Sequence, residues 1–537
     1  MGKVIKMSLL VDIIEKLSKS SPNAVFTPKK LSDTSSDDIY DYIYIETQIE
    51  KDYKALLSTH RDTKSIIFLS GSSGDGKSAI IGQNQMYFDK YFDWHIDATH
   101  SFRPDQTAIE ALNDVFKDFK VGTKSLVVGI NMGMLLNFAR EGDILHNDIK
   151  SDIKTYDLNK QSSKNVHFIN FEDYPKFQML GDSISSTFIL DLIKKIALKS
   201  DSNPFYMAFK SDLKNNIRLL DHQNFYLLGL EPVQNRIVEL LVTVHLKYDQ
   251  FLTARSILDL IYVLLRDPRL LIDQLFEHDS NPILENTFKE DPILFRTKQL
   301  DTFVLERSNQ KSDSELEEFV RQFNQNCDFP ILNTNDVHTL VRTFYIFREF
   351  DYSNNYHRQF EQDFADSSTL EYVKLIIANQ NFSQENRHTL QVFYKEIRKA
   401  IFAYANKHNP SLTSEGLLQC DSINGFGVCA TLELSPAWSK VQSHQSNGIN
   451  SFQCFLNVDA ELLDPVTISL SMYKLILAIN QGYRPNKHDR NTIIIFEELL
   501  EKISTIIKRS NKLTFVKEDK KYSFKNTTDE IEVTIHD

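Results

Sequence analysis

Eight consecutive residues of this 537-residue chain have the types and spacing to grip a polyphosphate: Gly71, Ser72, Ser73, Gly74, Asp75, Gly76, Lys77 and Ser78. They fit G-x-x-x-x-G-K-[ST] at every fixed position. In that pattern glycines let the backbone curl so that successive N–H groups face phosphate oxygens. The lysine reaches the β- and γ-phosphates, and the serine hydroxyl ligates Mg²⁺. The flanks are the ones this chemistry requires. An apolar strand over 65–70 leads into the run, and a helix-forming stretch beginning Ala79-Ile80-Ile81 leaves it, its N-terminus adding a positive dipole end. A glycine-rich turn that binds nothing is the competing explanation, and the strand before and helix after weigh against it. The expected cofactors are ATP and Mg²⁺, with Ser78 as a metal ligand; these residues do not separate ATP from GTP.

Hydrolysis needs more than a phosphate loop: a carboxylate on the metal and a group that orients water. Asp97 is the first candidate, at the end of a strand containing Phe92, Trp94 and Ile96. It would hold Mg²⁺ directly or through water, with Thr99 or His100 positioning a water. Only about twenty residues separate it from Gly76, short for an intervening strand and helix, and no Glu follows where many ATPases keep a base. An Asp capping a post-strand turn is the alternative. Glu172-Asp173 is the second candidate. Asn131 ends the run Val127-Val128-Gly129-Ile130, where AAA-type ATPases place a polar sensor; a turn-entering Asn explains it equally well. Arg255 opens a helix in the region that follows, where a second sensor would stabilise developing charge. A solvated surface arginine is its plainer explanation.

These residues need a scaffold, and the pattern around them predicts an α/β P-loop NTPase core of AAA/ASCE type. A large, mainly helical region and a C-terminal α+β region follow it. Residues 1–60 form an N-terminal helical segment with a polar loop over 29–38. Residues 61–180 form the core. It has strands over 65–70, 92–97, 125–131 and 166–171, a helix over 105–119 opened by Pro104, and a short helix over 134–140. Residues 181–410 are helical, the first part lid-like, with helices behind Pro232 and over 254–265. Residues 411–537 mix strands over 430–434 and 452–458 with helices over 468–480 and 491–508, then a hairpin of 513–516 with 521–524. No repeat of solenoid length is present.

The formal charge of −12 argues against a strong autonomous grip on DNA, which requires a basic footprint. Lys508, Arg509, Lys512, Lys517, Lys520, Lys521 and Lys525 cluster near the C-terminus, and a solvated face alternating with acids is the favoured reading. No apolar run approaches the roughly 20 residues that span a bilayer, and residues 1–7 lead into no signal-peptide h-region. Cys327, Cys420, Cys429 and Cys454 are scattered, which argues against a zinc site or disulfide framework and suits a reducing cytoplasm. His95 and His100 are badly spaced for a shared metal. Glu518-Asp519-Lys520 superficially matches a nuclease E-x-K, but reads better as a charged turn.

Taken together, the pieces resemble the DptF (DndF) family, the ATPase-like subunit of bacterial DNA-phosphorothioation-dependent restriction systems. The likeness lies in the 69–78 loop, Asp97-Ala98-Thr99-His100-Ser101-Phe102, Gly129-Ile130-Asn131-Met132-Gly133, Leu252-Thr253-Ala254-Arg255-Ser256 and Gln481-Gly482-Tyr483-Arg484-Pro485-Asn486. The resemblance implies a cytoplasmic three-protein defence complex acting on DNA that lacks the sulfur modification. The two partners would be DptG-like and DptH-like restriction subunits, one of them helicase- or translocase-like, with DNA met through the complex. It also implies nucleotide binding at residues 71–78, with Lys77, Asp97, Asn131 and Arg255 as the catalytic set. A nucleotide-dependent regulatory switch and a scaffold with little hydrolysis are the other readings the sequence admits.

Overall fold

The computed structural model describes residues 8–18, 37–98, 103, 105–181, 183–266, 268–279, 281–327, 329–444, 448–486, 489–517, 520–526 and 530–536. They divide into two compact units. The first takes in 1–178, 185–245 and 250–365, and the second 179–184, 246–249 and 366–537.

The first unit contains a four-stranded parallel sheet of β1 (Ile66–Ser70), β2 (Phe92–His95), β3 (Ser125–Ile130) and β4 (Val166–Asn170), in the order β2-β3-β1-β4. Its register sets Ile66 beside both Leu126 and Val166. Every residue of β1 and β3 is buried, as expected of parallel strands covered on both faces. The period-two alternation sorts the side chains into two layers. On one face Ile67, Leu69, Phe92, Val127 and Ile169 pack under Ile49, Tyr53 and Leu57 of α1 (Gln48–His60) and Ile80 and Ile81 of α2 (Lys77–Phe88). On the other, Ile66, Phe68, Leu126, Val128, Ile130 and Phe168 meet α3 (Ala108–Val121), α4 (Met132–Glu141) and α5 (Asn147–Asn159) through Leu112, Phe116, Leu135, Phe138 and Ile153.

Several edges differ from the sequence reading for identifiable reasons. Thr107 and Glu110 form a capping box, so α3 begins at Ala108 rather than 105; Pro104 lies outside the described residues, as does most of the polar loop expected over 29–38. The Asn131 side chain caps α4, which starts at Met132 instead of 134. Strand β2 ends at His95, two residues before Asp97. Helix α1 lies N-terminal to the limit drawn at residue 60, yet its apolar stripe supplies a layer of the sheet's core.

The rest of the first unit is helical, including Thr187–Ala197, Pro204–Lys214, α6 (Ala254–Arg266), Ser314–Cys327 and Val337–Phe347. In the second unit, helices Ser367–Gln380 and Arg387–Ala405 belong with the C-terminal strands, not with the helical region as the sequence suggested. The Tyr372 hydroxyl bonds the Asn450 and Ile468 carbonyls at 2.9 Å each, and Phe393 packs on Phe452 and Tyr473. A five-stranded antiparallel sheet completes this unit. It includes the expected hairpin, as Lys512–Lys517 with Lys520–Asn526, and adds Ile531–His536 at its edge. Residues 518 and 519 of the nuclease-like tripeptide lie outside the described residues. Among the described residues no helix is long and apolar enough to cross a membrane, and no group of three or more His, Cys, Asp or Glu is arranged to hold a metal.

Candidate functional site

The connections of the sheet create one crevice. After β1 the chain turns into α2 on one face; after the adjacent β3 it turns into α4 on the other. Neighbouring parallel strands whose connections part in this way leave an opening beyond their carboxyl ends, the usual ligand position in open α/β sheets. The 71–78 loop forms one lip, Asn131 stands on the other, and Asp97 follows β2 on the far side of β3.

Gly74 and Gly76 adopt φ of +83° and +103°, backbone that side chains with a Cβ resist. These two turns curl the loop before α2 starts at Lys77. Gly71 donates its N–H to the Ile130 carbonyl at 3.2 Å, tying the loop's entry to β3. The Lys77 ammonium folds back over the loop and donates to the Gly71 and Ser72 carbonyls, both at 2.8 Å. Burial pushes its pKa down, and the carboxylates of Asp75 and Asp97 oppose that shift. Asp75 is itself a loop residue with a buried side chain. Its Oδ2 accepts the Ser72 N–H at 2.7 Å, and its Oδ1 pairs with the Lys176 ammonium at 2.8 Å.

Asp97 is exposed, and its field reaches both Lys77 and His95, whose pKa burial lowers against it. Its position is fixed by close packing of the chain. The Ala98 N–H bonds the Gly129 carbonyl at 2.9 Å, and a Cβ on Gly129 would collide with the Ile96 carbonyl. Thr99 and His100 lie outside the described residues. The second carboxylate candidate, Glu172-Asp173, sits in the turn after β4. Burial raises the Asp173 pKa there, Lys160 and Tyr156 oppose the shift, and Glu172 adds to it.

Asn131 uses Oδ1 to accept the Met134 N–H at 2.7 Å. The cap thus takes up its oxygen, and its amide nitrogen is the part left for a ligand. Arg255 comes to the loop by its backbone, the N–H donating to the Gly74 carbonyl at 3.2 Å. Its guanidinium turns away to Asp259 (2.7 Å) and the Leu17 carbonyl (3.1 Å). Thr253 crowds the loop from the same segment: a Cβ on Gly74 would stand 3.0 Å from its Oγ1.

The structure therefore gathers residues 71–78, Asp97 and Asn131 at one crevice, with Arg255 hydrogen-bonded to the loop through its main chain. Sequence reasoning assigned no role to Lys176, Phe251 or Thr253. An acid buried inside the loop demands a cation nearby, but nothing in the sequence says which one. Chemically, the arrangement offers loop N–H groups and a lysine to an anion, with the Asp97 carboxylate near enough for its field to act on that lysine.

Three of the seven cations of the basic cluster near the C-terminus are paired with acids. Lys508 pairs with Asp421 at 2.7 Å, Lys521 with Glu415, and Lys525 with Glu532 at 3.9 Å, while Lys517 lies over the Phe426 ring. A scan against protein-family models finds no match for this chain, and searches of curated proteins and of solved structures find none either.

Proposed function

We propose that the chain binds a nucleoside triphosphate with Mg²⁺, ATP in the first instance, at residues 71–78 and hydrolyses it, as a P-loop NTPase of AAA/ASCE type. The observation that carries this reading is the convergence of Lys77 and Asp97 on one crevice. A desolvated lysine spans the loop there, and its ammonium feels the Asp97 carboxylate. The loop N–H groups would hold the phosphates and Lys77 would exchange its two carbonyl partners for phosphate oxygens. Ser78 and Asp97 would hold Mg²⁺, which would supply neutralisation of the negative charge that builds during phosphoryl transfer. The Asn131 amide nitrogen would address the terminal phosphate or a water.

A regulatory switch is the second reading, favoured by one observation: the Arg255 guanidinium is engaged by Asp259 and Leu17 rather than turned to the loop. Fast turnover would require that pair to open. The wider role, a subunit of a restriction complex with DptG-like and DptH-like partners acting on DNA that lacks phosphorothioate, rests on the sequence resemblance alone. One experiment tests both levels: nucleotide hydrolysis by the wild type and by Lys77→Ala, alone and with the two partners plus modified or unmodified DNA. Turnover that Lys77→Ala abolishes and that partners or unmodified DNA stimulate supports the full proposal. Tight binding without turnover in every mixture overturns the enzyme reading and leaves the switch or the scaffold.

A further inference from the structure

A carboxylate inside a phosphate-binding loop poses an electrostatic problem. The Asp75 side chain is 3% exposed, sits between the two left-handed glycines of the loop, and would share that loop with a polyanion. In a buried setting a like charge is costly unless a cation offsets it.

The chain supplies that cation from the segment after β4. The Lys176 ammonium meets Asp75 Oδ1 at 2.8 Å and lies 5.4 Å from the centre of the Phe251 ring. Phe251 begins the segment whose Thr253 and Arg255 press on Gly74. The Asp75 carboxylate is thereby held from two sides, by the Ser72 N–H and by Lys176. With both oxygens engaged in this way, the acid braces the loop instead of pointing into the space a phosphate would take.

We propose that Lys176 is a positioning residue for nucleotide: by neutralising Asp75 and fixing its carboxylate on the Ser72 N–H, it makes an acid-bearing loop able to accept a polyphosphate. The role rests on the nucleotide binding proposed for this loop and deepens it. Lys176 acts through Asp75 and does not touch the phosphates. Its contribution therefore scales with the charge of the ligand, whereas a residue that merely keeps the loop folded would affect all nucleotides alike.

The test is calorimetric titration of the full chain with ATP, ADP and AMP, for the wild type, Lys176→Met, Lys176→Arg and the double variant Asp75→Asn/Lys176→Met, each checked by thermal melting. Lys176→Met is expected to weaken ATP by about tenfold or more, ADP less and AMP least. Lys176→Arg should retain most of the affinity, and Asp75→Asn should restore ATP binding in the Lys176→Met background. Equal losses for all three nucleotides, unchanged ATP affinity in Lys176→Met, or no recovery in a folded double variant would overturn the inference while leaving nucleotide binding intact. A wild type that binds none of the three overturns the nucleotide reading itself, and the role of Lys176 with it.

Discussion

Two cations in the first unit, the half-buried Lys77 and the buried Arg342, both lose water contact, and they resolve that cost in opposite ways. Arg342 is saturated with acids: Asp291 at 2.7 Å, Asp273 at 2.9 Å and Glu277 at 3.5 Å, with Thr339 bracing Asp273. Burial alone would lower its pKa, but Asp291 and Asp273 outweigh burial and raise it. Lys77 has carbonyls as its direct partners, and its pKa moves down. A cation locked by carboxylates has no reason to move; one resting on carbonyls at the mouth of a crevice can leave them for an incoming anion. Perturbed groups of the second kind mark candidate functional sites.

The sharpest way to break this contrast is to truncate each cation in turn and read both stability and turnover. Lys77→Ala should cost roughly a hundredfold or more in nucleotide turnover, on the scale of losing one electrostatic contact to the transition state, with little change in melting temperature. Arg342→Met should do the reverse. Leaving Asp273 and Asp291 buried without their partner costs about 3–5 kcal/mol, read by urea denaturation. If Lys77→Ala unfolds the protein and Arg342→Met does not, the assignment of one cation to function and the other to structure is wrong.

Asp97→Asn comes next. Turnover in Mg²⁺ should fall by about tenfold or more, while affinity for nucleotide measured in EDTA should match the wild type, because the carboxylate matters through the metal. Equal losses with and without Mg²⁺ would remove Asp97 from the proposed metal site.

How far these roles were legible in the sequence depended on how local they are. The 71–78 loop is a contiguous run, and its glycines, lysine and serine declare themselves. Asn131 and Asp97 follow strands that apolar runs made visible. Lys176 and Phe251 were not legible, because their relation to Asp75 spans about a hundred residues or more and exists only once the chain is folded. The same holds for α1, whose apolar stripe showed that it packs without showing on what. It also holds for helices Ser367–Gln380 and Arg387–Ala405, whose helical pattern carried no sign that strands further on would cover them.

Acid should weaken the structural half of the contrast. Burial is the leading cause that lowers the pKa of His222 and His357, with Asp212 opposing it for the first and the Phe350 carbonyl for the second. Their folded values lie below the ordinary 6.5. As pH falls below that value the unfolded chain takes up protons that the folded chain refuses, so stability is lost from there down through the folded pKa. Denaturation midpoints should therefore drop between about pH 7.5 and about pH 5.5; a flat profile would show that these rings are not held neutral.

The smallest expected effect calibrates the others. Thr107→Ala removes one half of the box that starts α3: Thr107 Oγ1 accepts the Glu110 N–H at 3.2 Å, and Glu110 accepts the Thr107 N–H at 2.8 Å. Loss of such a cap costs about 1 kcal/mol. Helix α3 packs on the sheet face opposite α2, so the loss should appear in the denaturation curve and leave turnover at saturating nucleotide unchanged. A fall in turnover from this substitution would mean that general loosening of the sheet is enough to disable the crevice, and the selective effect expected of Lys77→Ala would then have to exceed it clearly to count as chemistry.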